Sequence, residues 1–367
     1  MFAATSAKFA GRAGARAVKI AGAALMAYCF CLGGSVYATP LDEGVRYFQQ
    51  GDYEKAYPLL LKAGEEGDPE GYVGIATMYW DGRGFSKDLG KAAEYYLKAA
   101  EMGDPGAQYN VALQYEKGWG VKQDYHIAAK WYQKAASQGL ASAQLNLGGL
   151  YRSGDGVRKD YRKAYELLMK AARQGNAMAQ LNIGAMHDHA EGVKQDFSEA
   201  VKWYRLASDQ GYAEAQHNLA LMYFSGKGVP KDEAKGFELT KKAAEQGFPA
   251  AQYNMGWAYR HGKGVRQDDR KAFKWYLKAA EQGDAKAQNN AGTFYKAGVG
   301  TEENPAEAFR WFEKAAAQNL PMGQFMLGYC YETGYGVKAD RDKARALYRK
   351  AASAGNREAQ ERLKVLR

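Results

Sequence analysis

The sequence predicts an all-α fold, a solenoid of stacked helix–turn–helix units, and three observations carry that prediction. One pattern recurs every 36 residues without insertion or deletion, so that Gln108, Gln144, Gln180, Gln216, Gln252, Gln288, Gln324 and Gln360 fall in one register. Only a tandem array of one supersecondary unit behaves this way. Glycines (Gly84, Gly120, Gly156, Gly192, Gly228, Gly264, Gly300, Gly336) share a second register, and Asp88, Asp124, Asp160, Asp196, Asp232, Asp268 and Asp340 a third, with Asn304 as a capping equivalent. Between them, apolar residues such as Ala143, Leu147, Leu150 and Tyr151 step by three and four, as a buried helical face requires. A chain of 367 residues would ordinarily hold several globular domains; an array replaces them with one elongated body whose units stabilise their neighbours.

Residues 1–38 stand outside the pattern. Lys8, Arg12, Arg16 and Lys19 form a basic region without acids, Ile20 to Leu32 is mostly apolar, and Val36-Tyr37-Ala38 has the form of an A-x-A cleavage site. This predicts a signal peptide cut after Ala38 and a periplasmic or secreted protein. The alternative is an uncleaved anchor, since Ile20 to Ala38 approaches the roughly 20 residues that span a bilayer; Gly33, Gly34 and Ser35 weaken its far end. Cleavage removes four of the positive charges behind the net +10, leaving +6, and two of the three cysteines. Cys330 then has no partner for an internal disulfide, and its register is shared with Met78, Leu150, Met186, Met222 and Phe294, which predicts a buried small hydrophobe.

Residues 39–71 read as an N-terminal capping hairpin with Gly51-Asp52 at its turn; Pro58 lies in its second helical run, where it is expected to kink or end the helix. Residues 72–359 make eight repeats and 360–367 a C-terminal capping fragment. In each repeat the first helix begins at the register of Pro69, Pro105, Pro249 and Pro321, where a missing N–H costs nothing. A Gly-x-Gly-Val turn ends it, since glycine takes the left-handed conformation. An aspartate then caps the second helix, whose Ala128, Trp131, Tyr132 and Ala135 form an apolar stripe. Gly139 and its equivalents, with Asn319 in one copy, close the unit.

In one copy Ala107, Gln108, Tyr115, Gly118, Gly120, Val121, Asp124, Ala128, Trp131, Tyr132, Lys134, Ala135, Ala136 and Gly139 spell out a motif that resembles the Sel1-like repeat, a relative of the tetratricopeptide repeat. The resemblance extends over residues 72–359 and implies a right-handed superhelix whose first helices line the concave surface. Departures fall at His187 and Ala190, at Gly236, Leu239 and Thr240, and at Thr301 and Asn304.

No catalytic constellation emerges. Gly262-Lys263-Gly264 lacks the preceding strand and following G-K-[ST] of a phosphate loop. Among the five histidines only His187-Asp188-His189 with Glu191 forms a cluster, and it lacks a fourth metal ligand. No metal or other cofactor is expected. Some cysteine-rich Sel1-like proteins bind or hydrolyse β-lactams, but those carry a cysteine pair in each repeat, which this chain lacks.

Positions that vary between copies point to function instead. A helical wheel centred on Leu147 sets a stripe opposite the packing face. It reads Tyr109, Leu113, Glu116; Leu145, Gly149, Arg152; Leu181, Ala185, Asp188; His217, Leu221, Phe224; Tyr253, Trp257, Arg260; Asn289, Thr293, Lys296; and Phe325, Tyr329, Glu332. By resemblance it forms a groove suited to a protein or peptide partner; alternatively, several of its residues pack against the adjacent unit. The expected contact residues are Tyr109, Leu113, Leu145, Arg152, Leu181, His217, Leu221, Phe224, Tyr253, Trp257, Arg260, Phe325 and Tyr329. Beside them Asn110, Asn146, Asn182, Asn218, Asn254 and Asn290 form a ladder. Asparagine is a mediocre helix former, so the ladder either bonds a neighbouring helix or holds a ligand backbone. At the loop edge Lys122, Arg158, Lys159, Lys194, Lys231, Arg266 and Lys338 read as solvated charges or a weak basic rim for an anionic partner or membrane lipid. A nucleic-acid partner is disfavoured by export and modest charge. The sequence thus predicts a non-enzymatic scaffold of the bacterial envelope or a secreted one; the alternatives are a cell-wall or β-lactam-related hydrolase or glycan binder, and a host-directed virulence factor.

Overall fold

The computed structural model describes residues 38–366, and nineteen helices run through them. The leader expected over residues 1–38 lies outside the described residues except for Ala38. The chain divides into two compact units after Gln174. The first holds α1 (Pro40–Gln50), α2 (Tyr53–Glu65), α3 (Pro69–Asp81), α4 (Leu89–Glu101), α5 (Pro105–Lys117), α6 (Tyr125–Ser137), α7 (Ala141–Ser153) and α8 (Tyr161–Arg173). The second holds α9 (Ala177–His189), α10 (Phe197–Asp209), α11 (Ala213–Ser225), α12 (Glu233–Glu245), α13 (Pro249–His261), α14 (Asp269–Glu281), α15 (Ala285–Ala297), α16 (Pro305–Ala317), α17 (Pro321–Thr333), α18 (Arg341–Ser353) and α19 (Arg357–Val365). Within each unit, helices pair as hairpins and each hairpin stacks on the next.

The expected caps define the helix starts. Asp124 Oδ1 accepts the backbone N–H groups of His126 and Ile127 at 2.9 and 3.0 Å, and Asn304 does the same for Glu307 at 3.1 Å. Each satisfies donors that the first turn leaves orphaned. Pro69, Pro105, Pro249 and Pro321 all open their helices. Pro58 does not end its helix, because α2 continues past it to Glu65. The bond it forfeits would have gone to the carbonyl of Glu54, an exposed first-turn residue that water can serve, while Leu60 and Ala63 keep the following turns buried.

The second glycine of each inter-helix turn does more than reverse the chain. Gly264 has φ 69° and lies so close to the start of α12 in the preceding repeat that a Cβ would run into the Glu233 carbonyl oxygen. That backbone approach locks the loop of one repeat onto the second helix of its predecessor. Inside the hairpins, Tyr132, Tyr204, Phe312 and Tyr348 are fully buried, and small residues such as Gly184 and Gly328 admit the rings of Tyr204 and Tyr348.

The register glutamines staple the joints. Gln252 Nε2 donates to the Ala244 carbonyl of the preceding helix at 3.2 Å, and its Oε1 accepts from Gln282 at 2.7 Å. Gln282 also reaches the Gly247 carbonyl at 3.0 Å. Gln108 with Gln138 and Gln288 with Gln318 repeat the arrangement. Gln108, Gln252 and Gln288 are buried, so each satisfied amide among them avoids a desolvation cost of about 1–3 kcal/mol. At the C-terminus, Arg362 of α19 holds Glu332 of α17 at 2.6 Å.

Candidate functional site

The stripe resolves into three rows with different surroundings. The first row is packed: Tyr109, Tyr253 and Phe325 place their rings 5.6, 5.6 and 5.5 Å from Tyr132, Tyr276 and Tyr348 of the same hairpin. His217 meets Phe248 at 5.3 Å, Leu145 is half-buried, and Leu181 is buried in the core of the second unit. This row therefore faces the helix partner more than the open surface; a helical wheel fixes only a broad sector, and neighbouring helices decide the rest.

The second row is more open. Leu221 is 42% exposed, and Leu113, Trp257 and Tyr329 are half-buried. The third row is half-buried and wired to the second helices. Tyr132 donates its hydroxyl to Glu116 at 2.6 Å, Tyr348 to Glu332 at 2.7 Å and Tyr204 to Asp188 at 3.3 Å. Where the second helix offers no tyrosine the third row carries no acid: Leu168 faces Arg152's register, Phe312 that of Lys296, and Thr240 that of Phe224. Arg260 pairs with Asp269 at 2.7 Å, and Lys296 lies 3.9 Å over the Tyr329 ring. Burial drives the Tyr132 phenol well above its ordinary pKa, and the adjacent Glu116 carboxylate pushes the same way. Tyr132 is therefore held as a neutral donor.

The asparagine ladder is not uniform. Asn146 Nδ2 donates to the Tyr132 hydroxyl at 2.9 Å, completing a chain from α7 through α6 to Glu116 on α5. In the second unit burial raises both the Tyr253 and Tyr276 phenols, and the nearby Asn290 amide offsets part of that shift. Asn182 is also engaged. Asn110, Asn218 and Asn254 make no side-chain hydrogen bond among the described residues.

The fifth repeat departs most from the shared pattern. Thr240 stands where a tyrosine does in five repeats and turns its hydroxyl back to the Gly236 carbonyl at 2.8 Å. Phe224 takes the vacated volume, its ring so near Gly236 that a Cβ there would meet it at 3.0 Å. The Phe224 ring also meets Trp257 edge-on at 6.3 Å. Beside this substitution a groove of about 540 Å³ opens between the ends of α9 and α11, with Asn218, Leu221, Phe224, His189, Lys227 and Asp188 on its walls.

His187, Asp188, His189 and Glu191 do not converge: among the described residues no three histidine, cysteine or acidic side chains are placed to hold a metal ion. Cys330 is fully buried, and burial pushes its thiol up to about 11. The loop-edge residues Lys122, Arg158, Lys159, Lys194, Lys231, Arg266 and Lys338 are all exposed, and Lys231 is held by Glu233 at 2.9 Å. No helix among the described residues is long and apolar enough to cross a membrane. The glutamine staples and the tyrosine–acid pairs were missed at the sequence level. The alternation of acid and tyrosine across sixteen residues was the signal that could have revealed the latter.

A family model described as the Sel1 repeat matches residues 20–68 and then eight consecutive 36-residue stretches running from 69 to 356. The chain belongs to the Sel1 repeat family. Sel1 repeat proteins are generally protein-interaction scaffolds and not catalysts. Among solved structures, this chain is similar to a Sel1 repeat protein from Oxalobacter formigenes, with 33% identity over 91% of this chain and 96% of the other and a TM-score of 0.68. It is also similar to a protective antigen with an SLR fold present in uropathogenic Escherichia coli strains, at 29% identity over 89% and 86% of the two chains and a TM-score of 0.55. No curated protein matches it.

Proposed function

We propose that this Sel1 repeat protein is a periplasmic or secreted scaffold that docks a protein partner on the face formed by its first helices and catalyses nothing. The observation that carries this reading is the open second row: Leu221, Trp257 and Tyr329 present apolar area beside the charged third row and are not consumed by the shared packing. Desolvating such anchors supplies affinity, and the neighbouring charges discriminate between partners. The basic, then apolar, leader within residues 1–38 supports export. The groove in the second unit favours a scaffold over a hydrolase, since Asp188, the one carboxylate on its walls, is occupied by the Tyr204 hydroxyl.

The test is crosslinking and capture from envelope and host extracts with the wild type beside Leu221→Asp/Trp257→Ala, two substitutions that leave the tyrosine–acid pairs intact. The expected result is loss of specific partners at unchanged helicity. An identical set of partners on a folded variant would overturn the reading. Cell fractionation with N-terminal sequencing checks the destination, with a new N-terminus at Thr39 in the periplasm or medium as the expected finding.

A further inference from the structure

We propose that a pocket between α10, α11 and α12 receives the indole of a tryptophan borne by a partner protein, packed on Leu239, with the Lys242 ammonium over the ring and the Ser208 hydroxyl accepting the indole N–H. None of these residues belongs to the first-helix stripe, so the site stands independently of the scaffold reading above.

The pocket is the place of a missing ring. At the register of Leu239 the second, fourth, sixth and seventh repeats carry Trp131, Trp203, Trp275 and Trp311. Trp131, Trp275 and Trp311 pack back onto the preceding repeat, in clusters that hold Ala100, Ala244 and Ala280. In the fifth repeat leucine replaces the indole, and a pocket of about 400 Å³ opens, with Arg205, Ser208, Leu219, Tyr223, Leu239 and Lys242 on its walls. The repeat itself therefore shapes this opening for an indole.

Two groups stand ready around the absent ring. In the tryptophan repeats the lysine three residues further on covers the indole: Lys134 lies 3.8 Å from the centre of the Trp131 ring, Lys278 4.4 Å from that of Trp275 and Lys314 4.0 Å from that of Trp311. Lys242 shares their register and lines the pocket, and it has neither a ring nor an ion pair among the described residues. An ammonium so placed attracts the face of an aromatic ring, indole most strongly. Ser208 shares the register of Ala100, Ala244 and Ala280, and all seven other repeats have alanine there. It lines the pocket at 5% exposure, and its hydroxyl makes no hydrogen bond among the described residues. Trp311, with alanine at that wall, buries its Nε1–H without a partner among the described residues. The indole N–H is a donor only, so a hydroxyl at this wall supplies the acceptor that Trp311 lacks and favours tryptophan over phenylalanine.

A third departure makes a protein the bearer of the ring. Leu206, one helical turn from Asp209 on the pocket rim, replaces the lysine that all seven other repeats carry, and it is 42% exposed. Apolar area beside a ring pocket suits a segment that anchors one aromatic residue and rests its neighbours on the rim. A second copy of this chain does not supply the ring, because each of its seven tryptophans is buried or half-buried.

N-acetyltryptophanamide, which carries the ring without a charge, is the probe, read by the methyl resonances of the leucine-labelled full chain. The Leu219 and Leu239 methyl signals should shift saturably under the ring current. Leu239→Trp installs the residue of four other repeats, so the chain stays folded, and it should abolish the shift at Leu219; Leu347→Trp, the same change in the eighth repeat, should leave it intact. Ser208→Ala should weaken binding by about fivefold while leaving N-acetylphenylalaninamide unaffected. Lys242→Gln should weaken both compounds by about threefold. Photocrosslinking from p-benzoylphenylalanine in place of Leu206, in envelope and host extracts, should join segments that contain tryptophan, and Leu239→Trp should prevent it. Absence of a saturable shift, or a shift at Leu219 that survives Leu239→Trp, would overturn the pocket. Saturable shifts together with crosslinked segments that lack tryptophan would overturn the protein-borne ring and assign the pocket to a free indole compound.

Discussion

His217 occupies a register that holds Tyr109, Tyr253 and Phe325 in other repeats, so an imidazole has been placed where the fold accommodates an aromatic ring. Its Nδ1 is buried without a hydrogen-bond partner among the described residues, its ring abuts Phe248, and burial lowers its pKa from 6.5 to about 4. The unfolded chain restores the ordinary value. Between those two pH values the unfolded state carries the extra proton, so stability falls as pH falls through the window, by about 3 kcal/mol at its full extent. His217→Phe should remove this loss. Urea midpoints at about pH 7 and about pH 4.5 would show it as a smaller gap in the variant than in the wild type; equal gaps would mean that His217 is protonated in the fold at little cost. This site was legible only in part. The register of His217 is plain in the sequence, but its burial depends on the Phe248 ring, 31 residues further along, packing against it. Leu181 was misplaced onto the open stripe for the same reason.

At the scale of the helix and its turn, the sequence is far more informative, because caps and glycines act through backbone geometry that the local residues dictate. Asp124, Asp160 and Asn304 cap the helices predicted for them, and the prolines open theirs. What the sequence did not reveal is that turn glycines fall into two energetic classes. Gly283 has φ 95° with nothing within 4 Å of an added Cβ, whereas Gly264 is pressed against the α12 backbone. Gly283→Ala should therefore cost only the left-handed strain of about 1–2 kcal/mol, and Gly264→Ala should cost about 3 kcal/mol or more as the inter-repeat contact opens. Ala190 already occupies the left-handed position that glycine holds at the matching turns, with φ 58°. Ala190→Gly should stabilise by about 1 kcal/mol. Chemical denaturation of the three variants measures the series; equal destabilisation by Gly264→Ala and Gly283→Ala would show that the close approach carries no energy.

At the scale of the molecule, the 36-residue period made the fold legible, since within each unit the joints recur with the same turn and, as at Gln252 and Gln282, the same glutamine staple. Function is legible only where the copies break ranks, and there the consequence of a substitution depends on neighbours distant in sequence. The fifth repeat shows this: Thr240 could be seen to depart from the motif, but the inward swing of Phe224 and the freeing of Asn254 required the structure. A deletion separates scaffold from function. Removing residues 213–248 excises one period and sets the end of α10 before Pro249, so that Tyr212 takes the place of Phe248 and Tyr204 stands where Thr240 did. Every shared contact then has an equivalent. In an array stabilised by nearest neighbours the shortened chain should keep its mean-residue helicity, with a urea m value reduced in step with its surface. It should also lose the groove, Asn218 and Leu221, and with them the captured partners. A shortened chain that unfolds would show that the repeats are not interchangeable supports. One that folds and still binds would move the functional face away from the fifth repeat.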